Sequence, residues 1–343
     1  MTVSGKLMRL GISMGHGPDG PPSGADQWST VWTTLMIEIE HLRMEYGSTV
    51  AIDNLALNIP EGEVFGLIGP NGAGKTTLIR VLATLLEPTY GSVRVGGIDV
   101  LAHPLQVRPL IGYMSDFFSL YENMQAWEYL DHFARCYDLP AAERQRRIDQ
   151  ALELVSLEVR RDAEVRELSR GMRQRLSFAK SLLHEPRVLL LDEPASGLDP
   201  AGRIEFRELV KQLHAMGRTV LVSSHILTEM ADFCTSIGIM EQGRLLRSGR
   251  VADILAELAS ARRLTIDVVG DAAPLIALLS GDERISGIKQ NGTRVTCQWH
   301  ASREALVELH RRVVAADVPL VSLACHDDNL EDIYMRISGH ETA

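Results

Sequence analysis

Residues 69–77 constrain the fold of this chain more than any other stretch. Their sequence, GPNGAGKTT, fits the pattern G-x-x-x-x-G-K-[ST] with no mismatch. An apolar run at residues 64–68 precedes them, and residues 76–86 carry apolar side chains at helical spacing. A buried parallel strand, a glycine-rich loop and a helix in this order predict a cradle for phosphate groups. The cradle comprises Gly69, Pro70, Asn71, Gly72, Ala73, Gly74, Lys75, Thr76 and Thr77.

The residues of this phosphate-binding loop suit the terminal phosphates of a nucleoside triphosphate. Its glycines let consecutive backbone N–H groups point inward, and the helix opening at Lys75 adds its positive N-terminal end. Lys75 would contact the β- and γ-phosphates, and the Thr76 hydroxyl is a hard oxygen ligand suited to Mg²⁺. The alternative is a plain glycine-rich turn between a core strand and a core helix.

Length and composition indicate a folded protein of about two domains. The chain has 343 residues, of which 45% are hydrophobic, and its formal net charge of -10 argues against binding to the phosphate backbone of nucleic acids. The sequence contains no apolar run of about 18 residues, the length that spans a bilayer, so work at a membrane needs another chain. Four scattered cysteines lack metal-binding spacing and are expected to be reduced thiols: Cys136, Cys234, Cys297 and Cys325.

The first 35 residues differ in character from the rest. They are rich in Gly, Pro and Ser around GHGPDGPPSG, with no helical periodicity and no signal-peptide core. We expect residues 1–35 to be a disordered leader, and Met36 is a candidate start of the folded chain.

Two alternating segments, residues 37–46 and 50–59, predict an antiparallel edge sheet beside the nucleotide strand, with Tyr46 at the end of the first. Residues 87–99 predict a turn, a short strand and a Gly-Gly hairpin, and Asp116 is predicted to end a strand that starts at Ile111. Residues 123–167 have helical periodicity and predict a helical insert. The pattern is equally consistent with helices that only complete the hydrophobic core and with helices that form a docking surface for a partner.

Further polar residues lie at the start of a predicted helix and at the ends of two predicted strands. Ser169 is a plausible N-cap of a helix in which Gly171 would let a ligand approach the backbone. Asp192 and Glu193 emerge from a buried strand at residues 188–191, at the end where open α/β sheets bind ligands; Asp192 suits Mg²⁺ and Glu193 suits a water. His225 follows another buried strand at residues 219–223, so several strand ends converge on one site.

These motifs together resemble those of the ATP-binding cassette (ABC) ATPases. The resemblance rests on five motifs in order over about residues 37–249: the phosphate-binding loop, LSRGM from Leu168, LLLDEP from Leu189, SGLD from Ser196, and the switch histidine His225. It implies ATP and Mg²⁺ as cofactors and a mixed α/β fold with a P-loop core, an antiparallel edge sheet and a helical subdomain.

The resemblance also implies a role for each site residue. Glu193 would be the general base, with Lys75 and His225 as the other catalytic residues, and Tyr46 would stack on adenine. Ser169 and Gly171 would meet the γ-phosphate held by Lys75 of a second cassette in a head-to-tail dimer, which we expect to be a homodimer. The sequence departs from the family pattern at two places. Asp116 stands where the family usually has the Q-loop glutamine, and the signature sequence LSGGQ is replaced by LSRGM. The candidate Mg²⁺ ligands are Thr76, Asp116 and Asp192.

Residues 262–343 predict a small C-terminal α/β domain after an ABC domain at 36–255. Strands at 264–269, 285–290, 293–299 and 320–324 alternate with helices at 273–279, 302–316 and 330–337. This tail resembles that of ATPases paired with drug, polysaccharide or antibiotic exporters, and it contains no catalytic constellation.

The resemblance implies the ATPase subunit of an ABC exporter, at the cytoplasmic face of the cell membrane through a separate integral membrane permease. We expect the segment from Ile111 to Asp131 to contact that permease through Phe117, Phe118, Leu120 and Tyr121. The alternative function is a non-transport ABC ATPase that remodels nucleic acid or ribosomes, or an assembly factor. Tandem cassettes, a basic arm or a long coiled-coil insertion would favour that alternative, and the sequence has none of them.

Overall fold

The computed structural model describes residues 34–116, 120–258 and 262–326. The predicted leader up to residue 33, the two residues Phe117 and Phe118, and the helix predicted at 330–337 lie outside these ranges. Leu35, which the leader was predicted to include, begins the first strand.

The strands of the described residues are labelled in chain order. They are β1 (Leu35–Tyr46), β2 (Thr49–Pro60), β3 (Val64–Ile68), β4 (Tyr90–Val95), β5 (Ile98–Asp99), β6 (Ile111–Met114), β7 (Val188–Leu191), β8 (Thr219–Ser224), β9 (Ser236–Glu241), β10 (Arg244–Arg250), β11 (Arg262–Val268), β12 (Ile285–Asn291), β13 (Arg294–Trp299) and β14 (Leu320–His326).

The helices are labelled in the same way, and short 3-10 turns occur at Arg108–Leu110, Glu158–Arg160 and Val165–Glu167. The α-helices are α1 (Lys75–Leu82), α2 (Pro104–Val107), α3 (Ala126–Cys136), α4 (Ala141–Leu154), α5 (Arg170–Leu182), α6 (Pro200–Ala215), α7 (Leu227–Ala231), α8 (Val251–Leu258), α9 (Ala273–Ser280) and α10 (Arg303–Ala315).

The central sheet of the described residues has six strands in the order β10-β9-β3-β8-β7-β6, parallel except for β10. Strands β3, β7 and β8 are buried along their whole length, which explains their nearly unbroken apolar sequences. Ile68 pairs with Ser224 and Leu191 pairs with Val222, so the carboxyl ends of these three strands lie side by side. Ligands bind at this edge of a parallel sheet.

The predicted antiparallel edge sheet is confirmed. Strand β1 lies between β2 and β4, and β5 completes the sheet in the order β2-β1-β4-β5. Along β1, Ile37 and Ile39 are buried and alternate with Glu38 and Glu40, as expected for a sheet with one face on the core. Gly96 and Gly97 have φ angles of 58° and 76°, and form the predicted two-residue hairpin between β4 and β5.

Two predicted boundaries were wrong. Helix α1 ends at Leu82 instead of residue 86, because Thr84 has a φ of 58° and the N–H of Leu85 bonds back to the carbonyl of Arg80. Strand β6 ends at Met114, so Asp116 lies two residues beyond it. The neighbouring strand β7 ends at the same level, which removes the pairing partner that would continue β6.

The predicted helical insert is confirmed as α3 and α4, which pack with α5 beside the central sheet. Tyr129 and Leu130 of α3, Leu152 of α4 and Phe178 of α5 share one buried apolar cluster with Leu191 of β7. One face of the insert is therefore core. Its use as a docking surface stays a prediction.

The third sheet belongs to residues 262–326 and has the antiparallel order β12-β13-β11-β14. Helices α9 and α10 cover it, and Leu275, Trp299, Leu309 and Val313 are all fully buried in its own apolar cluster. The predicted strands and the two helices at 273–279 and 302–316 are confirmed within about two residues. The division into domains at 36–255 and 262–343 stays a prediction.

Among the helices of the described residues, none combines the length and the apolar character needed to cross a membrane.

Candidate functional site

Lys75 lies at the centre of the candidate site. It is the first residue of α1, and its side chain is buried, with 5% of the residue exposed. Its Nζ donates hydrogen bonds to the carbonyl oxygens of Gly69 at 2.6 Å and Pro70 at 3.2 Å, and lies 3.3 Å from Oε1 of Glu193. The fold thus brings the predicted phosphate-binding cation and the predicted general base together.

Glycine is required at two positions of the phosphate-binding loop. A Cβ at Gly69 would collide with the carbonyl oxygen of Met240 on β9. Gly74 has a φ of 101°, and a Cβ there would lie 2.5 Å from the carbonyl oxygen of Ala51 on β2. The loop is therefore pressed between two sheets, while its tip at residues 70–72 is exposed.

Asp192 is held at the end of β7 by two hydroxyl groups. Its residue is 1% exposed, and Oδ1 accepts hydrogen bonds from Thr76 Oγ1 at 3.2 Å and from Ser223 Oγ at 2.8 Å. The same Ser223 hydroxyl accepts a hydrogen bond from the backbone N–H of Glu193 at 2.9 Å. One serine therefore fixes both carboxylate-bearing residues against the loop.

The Glu193 carboxylate lies between Lys75 and His225. Its Oε2 is 2.9 Å from Nδ1 of His225. Its Oε1 is buried and has no hydrogen-bond partner among the described residues, although Lys75 provides an opposite charge. Glu193 has a φ of 47°, in a region that residues other than glycine rarely adopt, and such strain is concentrated at functional sites.

Asp116 is exposed and lies within electrostatic reach of this group. Loss of solvent around its carboxyl group, followed by the negative charges of Asp192 and Glu193, raises the pKa of Asp116. The positive charges of Arg170 and His225 act in the opposite direction. The role of Asp116 as a Mg²⁺ ligand stays a prediction.

Tyr46 is 47% exposed at the end of β1, where it pairs with Thr49 of β2. Thr49 is two residues from Ala51, whose carbonyl faces the loop at Gly74. The side chain of Tyr46 is therefore exposed, and its role in stacking on adenine stays a prediction.

Ser169 caps α5 as predicted, because its Oγ accepts a hydrogen bond from the N–H of Met172 at 3.3 Å. Gly171 lies in the first turn of the same helix. This helix contacts the segment after β7 through Gln174, whose Nε2 donates a hydrogen bond to the carbonyl oxygen of Pro194. The hydrogen bond that Ser169 accepts is therefore within its own helix.

The sequence analysis missed Ser223, Gln174 and Met240. A signal existed for Ser223, since it is a polar residue that follows the apolar run at 220–222 and lies two residues before His225. Gln174 and Met240 had no such signal, because their importance depends on contacts with residues distant in sequence.

The donor set fits the terminal phosphates of a nucleotide together with a hard divalent cation. Thr76 Oγ1 and Asp192 Oδ1 lie 3.2 Å apart. Oxygen atoms of this kind are the ligands that Mg²⁺ prefers. The exposed loop tip, the buried Lys75 ammonium and the N-terminal end of α1 supply the positive potential that phosphate groups need.

Comparison with known proteins agrees with this geometry. The sequence model of the ABC transporter family matches residues 52–196. The chain is 32% identical over 326 residues to Nod factor export ATP-binding protein I of Ralstonia nicotianae, covering 94% of this chain and 98% of that protein. It is 34% identical over 311 residues to daunorubicin resistance ATP-binding protein DrrA3 of Streptomyces coeruleorubidus, covering 89% and 96% of the two chains.

The fold is similar to a dimeric, post-hydrolysis ATP-binding cassette, MJ0796, bound to ADP and Pi. The TM-score is 0.58 at 26% identity, covering 63% of this chain and 99% of that one. Relatives with export and resistance names do not favour the alternative of a non-transport ATPase. Because its sequence is similar to such proteins over nearly its whole length, the chain belongs to the ABC transporter family, as an ATP-binding and ATP-hydrolysing subunit.

Proposed function

We propose that this ATPase powers export through a separate integral membrane permease, working as a homodimer at the cytoplasmic face of the cell membrane. The observation that carries the proposal is the assembly of Lys75, Glu193 and His225 in a chain that is similar over 94% of its length to an export ATP-binding protein. The substrate would contact the permease.

Lys75 and the loop backbone bind and orient the triphosphate. Two loop carbonyls hold the Lys75 ammonium group in place, at 2.6 and 3.2 Å. Its charge and the N–H groups at the start of α1 attract the β- and γ-phosphates. Tyr46, exposed at the end of β1, stacks on the adenine.

Thr76 and Asp192 would hold Mg²⁺, and Asp116 is a third candidate ligand. The ion would neutralise phosphate charge that develops during hydrolysis. Ser223 supports this role, because its hydrogen bond fixes the rotamer of the buried Asp192 carboxylate.

Glu193 acts as the general base toward the attacking water. Its Oε1 has no hydrogen-bond partner among the described residues and lies 3.3 Å from Lys75 Nζ, while Oε2 is 2.9 Å from His225 Nδ1. His225 orients the carboxylate. Ser223 contributes to the same orientation by accepting the N–H of Glu193.

The second cassette of the homodimer supplies Ser169 and Gly171 to the nucleotide held by Lys75. The N-terminus of α5 is capped and offers backbone N–H groups to an anion. The similar cassette MJ0796, bound to ADP and Pi, is described as a dimer, and this supports the proposed arrangement.

Tyr121 and Leu120 form part of the permease contact. Tyr121 is 53% exposed and packs its ring edge-on to His132 at a centroid distance of 5.6 Å, so α3 supports it from behind. The C-terminal domain at 262–343 adjusts dimer or permease contacts, since its core is separate from the catalytic sheet.

ATP hydrolysis by the purified full-length chain, with and without EDTA, tests the Mg²⁺ dependence. Size-exclusion chromatography with light scattering then measures the mass with and without ATP in the Glu193→Gln variant, where the ATP-bound dimer should accumulate. For the transport step, the chain is co-expressed with a candidate integral membrane permease, and we expect ATP-dependent transport in inverted vesicles that Lys75→Ala abolishes. Hydrolysis that EDTA leaves intact, a monomer under all conditions, or transport with Lys75→Ala would each contradict the proposal.

A further inference from the structure

The backbone at Glu193 is strained. Its φ of 47° lies in the left-handed region that residues other than glycine rarely adopt. The next residue is Pro194, and a proline favours an extended conformation in the residue before it. A strained backbone of this kind persists only where surrounding contacts hold it. The contacts on either side of Glu193 therefore decide where its carboxylate lies.

The backbone groups of Glu193 itself are both hydrogen-bonded. Its N–H donates to Ser223 Oγ at 2.9 Å, and its carbonyl oxygen accepts from the N–H of Ser196 at 3.0 Å. The following residue, Pro194, is buried and has no N–H, so its carbonyl oxygen is the one hydrogen-bonding group of its backbone. A buried carbonyl needs a partner within the protein.

Gln174 on α5 is that partner. Its Nε2 donates a hydrogen bond to the carbonyl oxygen of Pro194. A carbonyl only accepts hydrogen bonds, so the amide nitrogen and not the amide oxygen must face it. Gln174 is 5% exposed, and its Oε1 has no hydrogen-bond partner among the described residues. Because an unpaired buried acceptor is unfavourable, the specific contribution of a glutamine here is its bond to Pro194.

We propose that Gln174 is a positioning residue for the general base. Its hydrogen bond to the Pro194 carbonyl holds the strained backbone of Glu193, and this fixes the position of the Glu193 carboxylate. The inference rests on the proposed role of Glu193 as the base. Without the donor of Gln174, the Pro194 carbonyl is buried and unpaired, and the turn shifts toward the extended conformation that a proline favours. The carboxylate then leaves its position toward the attacking water.

Gln174→Met tests the inference, because methionine has a similar length and no donor. We expect kcat to fall by about 10- to 100-fold, since a misplacement of about 1 Å can reduce a rate by about 10²-fold. The KM and the dissociation constant for ATP should stay within about twofold, because the contacts of Lys75 with its loop are unchanged. Single-turnover hydrolysis and fluorescent-nucleotide titration measure these quantities, and circular dichroism checks the fold.

Gln150→Met is the matched control. Gln150 is an exposed glutamine on α4 whose Oε1 accepts a hydrogen bond from Arg146 at 3.3 Å, and its replacement should leave kcat unchanged. If Gln174→Met does not fold, Gln174→Leu removes the same donor and takes its place. A kcat within about twofold of the unchanged protein in the folded variant would overturn the inference.

A double-mutant comparison separates an action through Glu193 from a general loosening of the structure. In the Glu193→Gln background, Gln174→Met should lower the residual kcat by less than about twofold, because no base is left to position. An equal loss in both backgrounds would overturn the inference and leave the proposed base intact. A near-normal kcat in Glu193→Gln alone would instead show that the proposed base is wrong, and the role of Gln174 with it.

Discussion

Replacing Glu193 by Gln tests the assignment of the general base most directly. The substitution keeps the size of the side chain and removes its charge and its basicity. Oε1 of Glu193 lies 3.3 Å from Lys75 Nζ, and Oε2 lies 2.9 Å from His225 Nδ1. We expect ATP to remain bound while hydrolysis nearly stops.

The size of each effect follows from the contacts. Lys75 keeps its two hydrogen bonds to the carbonyls of Gly69 and Pro70, so the ammonium group stays in place without its anionic neighbour. The ATP dissociation constant should change by less than about threefold, within the range of a modest loss of less than about 0.7 kcal/mol. Loss of a general base should lower kcat by roughly 10²–10⁴-fold, or about 2.7–5.5 kcal/mol of activation free energy.

Single-turnover phosphate release and fluorescent-nucleotide titration measure the two quantities separately. Glu208→Gln is the matched control, because this exposed glutamate on α6 pairs with the exposed Lys211 at 2.9 Å, and such surface pairs contribute little. A kcat within a few-fold of the unchanged protein in Glu193→Gln would refute the assignment of the base. A large loss of ATP affinity would instead refute the claim that the loop carbonyls alone hold Lys75.

Three further predictions concern binding and stability. Lys75→Ala removes the buried ammonium group, and we expect loss of hydrolysis and weaker nucleotide binding by fluorescence titration. Gly69→Ala forces a Cβ against the Met240 carbonyl, so circular dichroism should show lower thermal stability, by about 1–3 kcal/mol of unfolding free energy, and nucleotide binding should weaken. Asp282→Asn should destabilise the C-terminal domain by about 3 kcal/mol, since Asp282 is 7% exposed and pairs with Arg284 at 2.8 Å. Hydrogen bonds from Arg284 lower the pKa of Asp282, so this stabilisation is complete above the usual carboxyl pKa and is lost as the pH falls below about 4, which thermal melts across that range detect.

Each of these predictions has a matched control. Lys211→Ala should leave nucleotide binding unchanged, because this lysine is exposed on α6. Gly249→Ala should be tolerated, since the nearest atom to a Cβ there is 3.7 Å away. Asp232→Asn removes an exposed pair with Arg207 and should cost less than about 1 kcal/mol. If a test variant keeps the nucleotide affinity or the stability of the unchanged protein, or if its control loses as much, the importance assigned to the corresponding contact is wrong.

Local sequence patterns determined most of the secondary structure and the order of the motifs. Apolar runs defined the buried strands β3, β7 and β8, and the Gly96-Gly97 pair defined a hairpin, because both signals depend only on neighbouring residues. The end of α1 was not predictable in this way. Apolar spacing continues past Leu82, and only the left-handed conformation of Thr84 ends the helix.

The sequence by itself determined which residues could bind phosphate and carry out proton transfer, since Lys75, Asp192, Glu193 and His225 follow from motif and strand-end position. Only the tertiary structure decided how they are held. Ser223 joins Asp192 to Glu193 across β7 and β8, and this contact depends on the register between two strands that are 27 residues apart in the chain. The orphaned Gln174 acceptor likewise arises from the packing of α5 against the loop after Glu193. A pattern along one segment carries no information about the register or the packing distance to another, because both are set by the burial of the whole core.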